Sequence, residues 1–177
     1  ISGSSEFLAN GLDVNIKGNM ANNNGSSSAG INVGGFQAGT STQVTTFNGI
    51  NQTISGYGTN VTNFANLVIA SSGTVSLTLT STTLQVNNKL TLNSGVLAGT
   101  NNIIYVIGDI YNKAAHTSSN NNGGLYLKGI TVQNISGDGN GVMGNVIINN
   151  ANGINLKDNA TMNGRLTFTN GRLYIDD

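Results

Sequence analysis

The feature that most constrains this chain is that it repeats itself. Residues 49–58 read GINQTISGYG and residues 129–139 read GITVQNISGDG. The likeness continues through NFANLVIASSG (63–73) and MGNVIINNANG (143–153), then KLTLNSGVL (89–97) and GRLTFTNGRL (164–173). Matched positions are offset by 80 (Gly49 to Gly129), 81 (Gly56 to Gly137), 79 (Asn66 to Asn145) and 76 (Leu90 to Leu166). A third, partial copy precedes them: LDVNIKGNMANN (12–23) matches IIYVIGDIYNKA (103–114). The drift in offset falls in Asn/Ser/Gly tracts such as NNNGSSS (22–28) and HTSSNNNGG (116–124), where a loop can lengthen at little entropic cost. The repeat divides the chain into the end of one module (1–42), a full module of about eighty residues (43–122) and a second, truncated module (123–177).

Within a module the apolar residues come in short bursts, at 43–47, 50–54, 66–70, 75–79, 83–86, 89–92, 96–98 and 103–107. In SLTLT (76–80) and KLTL (89–92) every second side chain is apolar, the period of a strand with one buried face. Nothing of helical length carries a 3.6-residue period. The expectation is an all-β chain, and repeated strands with variable polar turns favour a right-handed parallel β-helix (β-solenoid) over a β-sandwich array. A coil of roughly twenty residues would make one repeat about four coils, with Asn side chains hydrogen-bonding between stacked coils. In the echo, the glycines would turn the chain and the isoleucines would fill the core. The opening ISGSSEFLANG and closing GRLYIDD both read as the interior of a pattern, so the chain reads as a portion of something longer.

Composition narrows the function classes. Seven basic and seven acidic residues balance, and only 8% of residues are charged, which gives no electrostatic reason to expect nucleic acid or an anionic membrane as partner. No run of 18 apolar residues suggests membrane insertion. Polarity comes from Asn (31 residues), Ser and Thr, with 25 Gly and no Pro. The absence of Cys removes disulfides and thiolate metal sites.

The order LDVNIKGNMANN (12–23), FQAGT (36–40), TFNGINQTISG (46–56), NLVI (66–69) and LTLNSGVL (90–97) resembles the repeats of large secreted proteins of Bacteroidota. Members of that group are exported by the type IX secretion system, and some are cell-surface adhesins, including gliding-motility adhesins. The resemblance implies a secreted or cell-surface location. It implies as partners the flanking repeats of the same chain, with surface glycans or secretion and anchoring proteins beyond them.

Candidate chemistry is sparse. Glycosidic chemistry on a β-helix needs paired carboxylates, whereas Glu6, Asp13, Asp109, Asp138, Asp158, Asp176 and Asp177 are scattered, and Asp109 and Asp158 fall in different coils. These acids read as solvated turn residues. His116, the one histidine, stands in AAHTSSNNNGG and reads as an exposed loop residue. In GDGNG (137–141), Asp138 and Asn140 have the Asp-x-Asn spacing of a calcium loop, but the other ligand positions are missing and a turn is the better reading. The pairs Thr78/Thr80 and Thr167/Thr169 recur once per module, too sparsely for a regular ice-binding array. Tyr57, Tyr105, Tyr111, Tyr126 and Tyr174 would stack on sugars if exposed on one face, and otherwise pack within the strands. The sequence therefore points to a structural or adhesive β-solenoid segment, rigid stalk or binding surface, with no catalytic residue and no cofactor. The alternative is a carbohydrate-active β-helix enzyme or tailspike-like depolymerase whose catalytic acids lie outside this segment.

Overall fold

The computed structural model describes residues 6–8, 11–23, 35–37, 42–58, 61–119 and 122–175. Seventeen strands occur among them, and no helix. In chain order they are β1 (Glu6–Leu8), β2 (Val14–Ile16), β3 (Met20–Asn22), β4 (Gly35–Gln37), β5 (Val44–Phe47) and β6 (Gln52–Tyr57). The long β7 (Thr62–Thr80) and β8 (Leu84–Thr100) follow, then β9 (Ile103–Val106), β10 (Asp109–Asn112), β11 (Ala115–Ser118) and β12 (Gly124–Leu127). The chain continues through β13 (Gln133–Gly137), β14 (Val142–Met143), β15 (Val146–Leu156), β16 (Thr161–Met162) and β17 (Leu166–Ile175). β1 and β4 form a parallel pair, and the other fifteen strands form one parallel sheet.

That sheet winds into a parallel β-helix of about six turns, with three faces. Face A stacks 62–64, 84–86, 103–106, 124–127, 146–148 and 166–168. Face B stacks 14–16, 44–47, 66–69, 89–92, 109–112, 133–137, 154–156 and 173–175. Face C stacks 20–22, 52–57, 74–80, 96–100, 115–118, 142–143 and 161–162. Strands β7 and β8 each run through two corners and serve all three faces, which is why their ladder breaks at Phe64/Asn66 and Ile69/Ala70/Thr74. Asn66 pairs with Lys89, and Lys89 with Asp109, so these coils take 23 and 20 residues, near the twenty the repeat implied. Pairing also crosses the sequence module boundaries, through β2–β5 and β9–β12. The modules are units of sequence, not separate bodies.

Alternation sorts the side chains. On face B, Leu67, Leu90 and Ile110 are register partners and fully buried, as are Phe64 and Val86 on face A. Phe64 meets Phe47 edge to face at 6.2 Å, joining faces A and B across the lumen. Each such side chain stabilises by about 1.5–3 kcal/mol through the apolar area it removes from water.

The structure explains the sequence echo, and corrects one reading of it. Gln52 lies at a corner between faces B and C. Its Nε2 donates to the carbonyls of Ile16 (2.9 Å) and Gly18 (2.7 Å) in the preceding coil, while its Oε1 accepts from Gly49 N (2.6 Å). Gln133 repeats this: Nε2 donates to Val106 O (3.2 Å) and Gly108 O (2.6 Å), and Oε1 accepts from Gly129 N (2.8 Å). Ser55 and Ser136 bond back to Met20 O and Ile110 O, again at matching positions. Gly49 and Gly129 must be glycine because a Cβ there would strike the backbone oxygens of Lys17 and Ile107 one coil away. The matching Gly95 and Gly171 hold positive φ (79° and 98°), which glycine adopts without strain.

Yet Gln133 lies between faces A and B, not B and C. The repeat is therefore one face short of four whole coils, and it repeats a corner stack, not a set of coils. Four corners (Gly18, Gly49, Gly73, Gly95) line one edge of the solenoid; their copies (Gly108, Gly129, Gly153, Gly171) line the next edge round. The isoleucines also divide. Ile54 and Ile135 fill the core as read, but Ile50 and Ile130, expected inside, are 71% and 85% exposed. They follow the corner glycine directly, where the chain swings outward before re-entering the sheet.

Two outcomes follow for denaturant unfolding. Ile135→Ala should cost about 2–5 kcal/mol, whereas Ile130→Ala should stay within about 0.5 kcal/mol of the parent. Gln133→Ala should cost about 1–3 kcal/mol, because it strips two carbonyls and one N–H of their shared partner.

Candidate functional site

The acids read as solvated turn residues, and the structure gives three of them backbone partners at the corners. Asp13 Oδ1 accepts from Val44 N (2.9 Å), Asp109 Oδ1 from Asn134 N (2.8 Å) and Asp158 Oδ2 from Gly137 N (3.0 Å). Each partner lies in an adjacent coil, so each carboxylate caps a backbone N–H where the ladder is interrupted at a corner. Asn19 does the same for Thr53 N (2.9 Å) at the position matching Asp109. On the outside of face B, Asn155 donates to Asn134 and Asn134 to Asp109, an amide ladder of the kind the Asn-rich composition suggested. Asp109 and Asp158 lie two coils apart, in coils that carry Asn134 between them. Glu6 belongs to β1, beside Gly35, and Asp176 and Asp177 lie outside the described residues.

Asp138 and Asn140 form a local turn. Asn140 N donates to Asp138 Oδ1 at 3.1 Å, and Gly139 between them has φ 83°. Among the described residues no three His, Cys, Asp or Glu side chains converge as a metal site would need. Thr78 and Thr80 stand outward on face C, while Thr167 belongs to the rung of face A in β17 and Thr169 falls at the register shift just past it. The two pairs therefore do not share a face.

His116 overturns its reading as a loop residue. It sits in β11, beside Leu97 of β8, and is 1% exposed. Its Nδ1 accepts from Gly144 N at 3.3 Å, which makes Nε2 the protonated nitrogen of the neutral ring. Nε2 has no hydrogen-bond partner and lies toward Gly99, whose missing side chain leaves room for the ring. Burial pushes the imidazole pKa down to about 4. The polar loop composition around His116 hid the alternation Ala115-His116-Thr117, which is the signal that would have placed it inward.

Beside His116 an open cleft of about 420 Å³ is lined by Thr117, Ser118, Asn145, Asn163 and Arg165. Its polar groups are occupied in closing a corner. Asn145 N donates to Ser118 Oγ (2.7 Å), Asn145 Nδ2 to Ser119 O (2.7 Å), and Arg165 N to Asn145 Oδ1 (2.9 Å).

The tyrosines point outward. Tyr105 and Tyr126 are register partners on face A with ring centroids 5.3 Å apart at 69°. Lys128 Nζ lies 4.1 Å from the Tyr105 centroid, and Asn149 Nδ2 donates to the Tyr126 hydroxyl at 2.9 Å. On face B, Lys89 Nζ lies 5.4 Å from the Tyr111 centroid. Tyr57 and Tyr174 are exposed on faces C and B. None of the five lies in an inner column, so the packing expected of them occurs on the outer surface of the sheets.

No protein-family model, no curated protein and no solved structure matches the chain.

The buried histidine makes stability depend on pH. Its folded pKa lies below the unfolded value of 6.5, so the unfolded chain takes up the proton first. The contribution of the neutral ring is intact above pH 6.5 and falls as pH drops toward 4, a loss of roughly 3 kcal/mol. Chemical denaturation at pH 7 and pH 4 should show this component in the parent chain and not in His116→Leu.

Proposed function

We propose that this chain is a structural, adhesive β-solenoid segment of a secreted or cell-surface bacterial protein, serving as a rigid stalk with lateral faces available for binding. The observation that carries the reading is the use of its polar side chains. Asp13, Asp109, Asp158, Gln52 and Gln133 all hold neighbouring coils together, which is what a load-bearing rod requires of them. The sequence resemblance to repeats of Bacteroidota proteins exported by the type IX system supports the placement at the cell surface. Gliding-motility adhesins are the members whose role this architecture suits best. The proposed partners are adjoining repeats of the same polypeptide and surface glycans.

Beads coated with the folded chain should be retained on glycan-bearing surfaces more strongly than beads coated with the chain unfolded by Ile135→Asp, and polysaccharide incubated with it should release no reducing ends. Equal retention of both bead types would refute the adhesive reading. Release of reducing ends would contradict the structural reading by placing catalysis within this segment itself.

A further inference from the structure

Face A carries an aromatic platform that the stalk does not need. Its outward column runs Gln85, Tyr105, Tyr126, Ile147 and Thr167, in register over five rungs of the sheet. Beside it stand Asn87, Lys128 and Asn149. Adjacent rungs are about 4.8 Å apart, so the two rings, packed edge to face at 69°, and Ile147 make an apolar strip parallel to the solenoid axis. Amides border that strip: Gln85 Nε2 donates to Asn87 Oδ1 at 2.9 Å, a bond that uses neither the Gln85 carbonyl oxygen nor the Asn87 amide N–H groups. The rigid sheet holds these groups in place before any ligand arrives, which lowers the entropic cost of binding.

The charge on this face limits what can bind. Among the described residues, no carboxylate lies on the strands of face A. Its one lysine in the platform, Lys128, already lies over the Tyr105 ring. What remains is a surface without carboxylates, its one cation engaged by the Tyr105 ring, in which aromatic rings are flanked by amide donors and acceptors. A polypeptide strand could not pair here, since the backbone of every rung within the sheet is already hydrogen-bonded to its neighbours. A ligand that suits the surface has an apolar C–H face for the rings and hydroxyls for the amides.

We infer that face A binds a neutral saccharide chain laid along the solenoid axis, with sugar rings on Tyr105 and Tyr126 and hydroxyls on Gln85, Asn87 and Asn149. This deepens the adhesive reading and rests on it. Lys128 acts as a positioning residue through its contact with the Tyr105 ring.

The test titrates the isotopically labelled chain with neutral hexose oligosaccharides (cello-, manno- and malto-hexaose) and with an oligogalacturonate, following amide shifts by NMR. At least one neutral hexaose should bind saturably, with shifts centred on face A. Tyr126→Ala should weaken binding at least fivefold and Tyr126→Phe less than twofold, because the ring and not the hydroxyl carries the contact. Tyr57→Ala, on face C, should leave binding unchanged, and the dispersed amide spectrum of each variant reports that it has folded. If the Tyr126→Ala spectrum collapses, Tyr105→Ala and Gln85→Ala take its place, each expected to weaken binding at least threefold. Binding of none of the four, shifts confined to other faces, or preference for the oligogalacturonate would each overturn the inference. Bead retention without saccharide binding on face A would overturn this inference alone and leave the adhesive reading standing.

Discussion

Every coil of this molecule must hand its backbone hydrogen bonds to the coils on either side of it. Within a face the parallel ladder does this automatically. At a corner the chain turns, the ladder breaks, and N–H and C=O groups are left near the interior with no partner. The structure meets this constraint with side chains placed at each turn. Gln52 and Gln133 each join one N–H to two carbonyls of the coil before. Ser71 Oγ donates toward the carbonyls of Gly49 and Ile50 and accepts from Gly73 N, and Asn150 serves the matching corner through Thr131 O and Asn152 N. The core, the outer faces and the direction of growth all depend on these corners staying closed.

This explains why the chain contains so much Asn, Ser and Gly with so little charge. A corner side chain must both donate and accept, and must stay neutral next to buried carbonyls. Asp appears where only an acceptor is needed, opposite the N–H groups of Val44, Asn134 and Gly137. Glycine appears where a neighbouring backbone leaves no room for a Cβ.

Much of the fold was legible because strand periodicity is a local signal. Leu90 and Leu92 alternate with polar residues in KLTL, and both lie fully buried on face B. The echo was legible as a repeat, but its meaning was not, since sequence offsets count residues and not faces. An interval of eighty residues reads as four coils of twenty; with coils of 20 and 23 residues it falls short by one face. Ile50 and Ile130 misled for a related reason: hydrophobicity favours the core, but a residue directly after a corner glycine takes the direction that the turn imposes. His116 misled in the opposite sense, because polar neighbours at a loop-like site concealed a strand position set by pairing with β8 across the coil. The outward tyrosines follow the same period as the core residues, and which phase faced water depended on a register no local window contains.

The account stands on the register of faces A and B across successive coils. The chain has no native cysteine, so paired spin labels can be introduced at Thr46 with Tyr111, three rungs apart on face B, and at Gln85 with Ile147, three rungs apart on face A. Dipolar spectroscopy should give narrow distributions for both pairs near three strand spacings, about 15 Å plus the reach of the label tethers. If the eighty-residue repeat were instead a set of whole coils, Ile147 would stack beneath Val68 on face B. The Gln85–Ile147 separation would then be much the longer of the two, and that result would contradict the account.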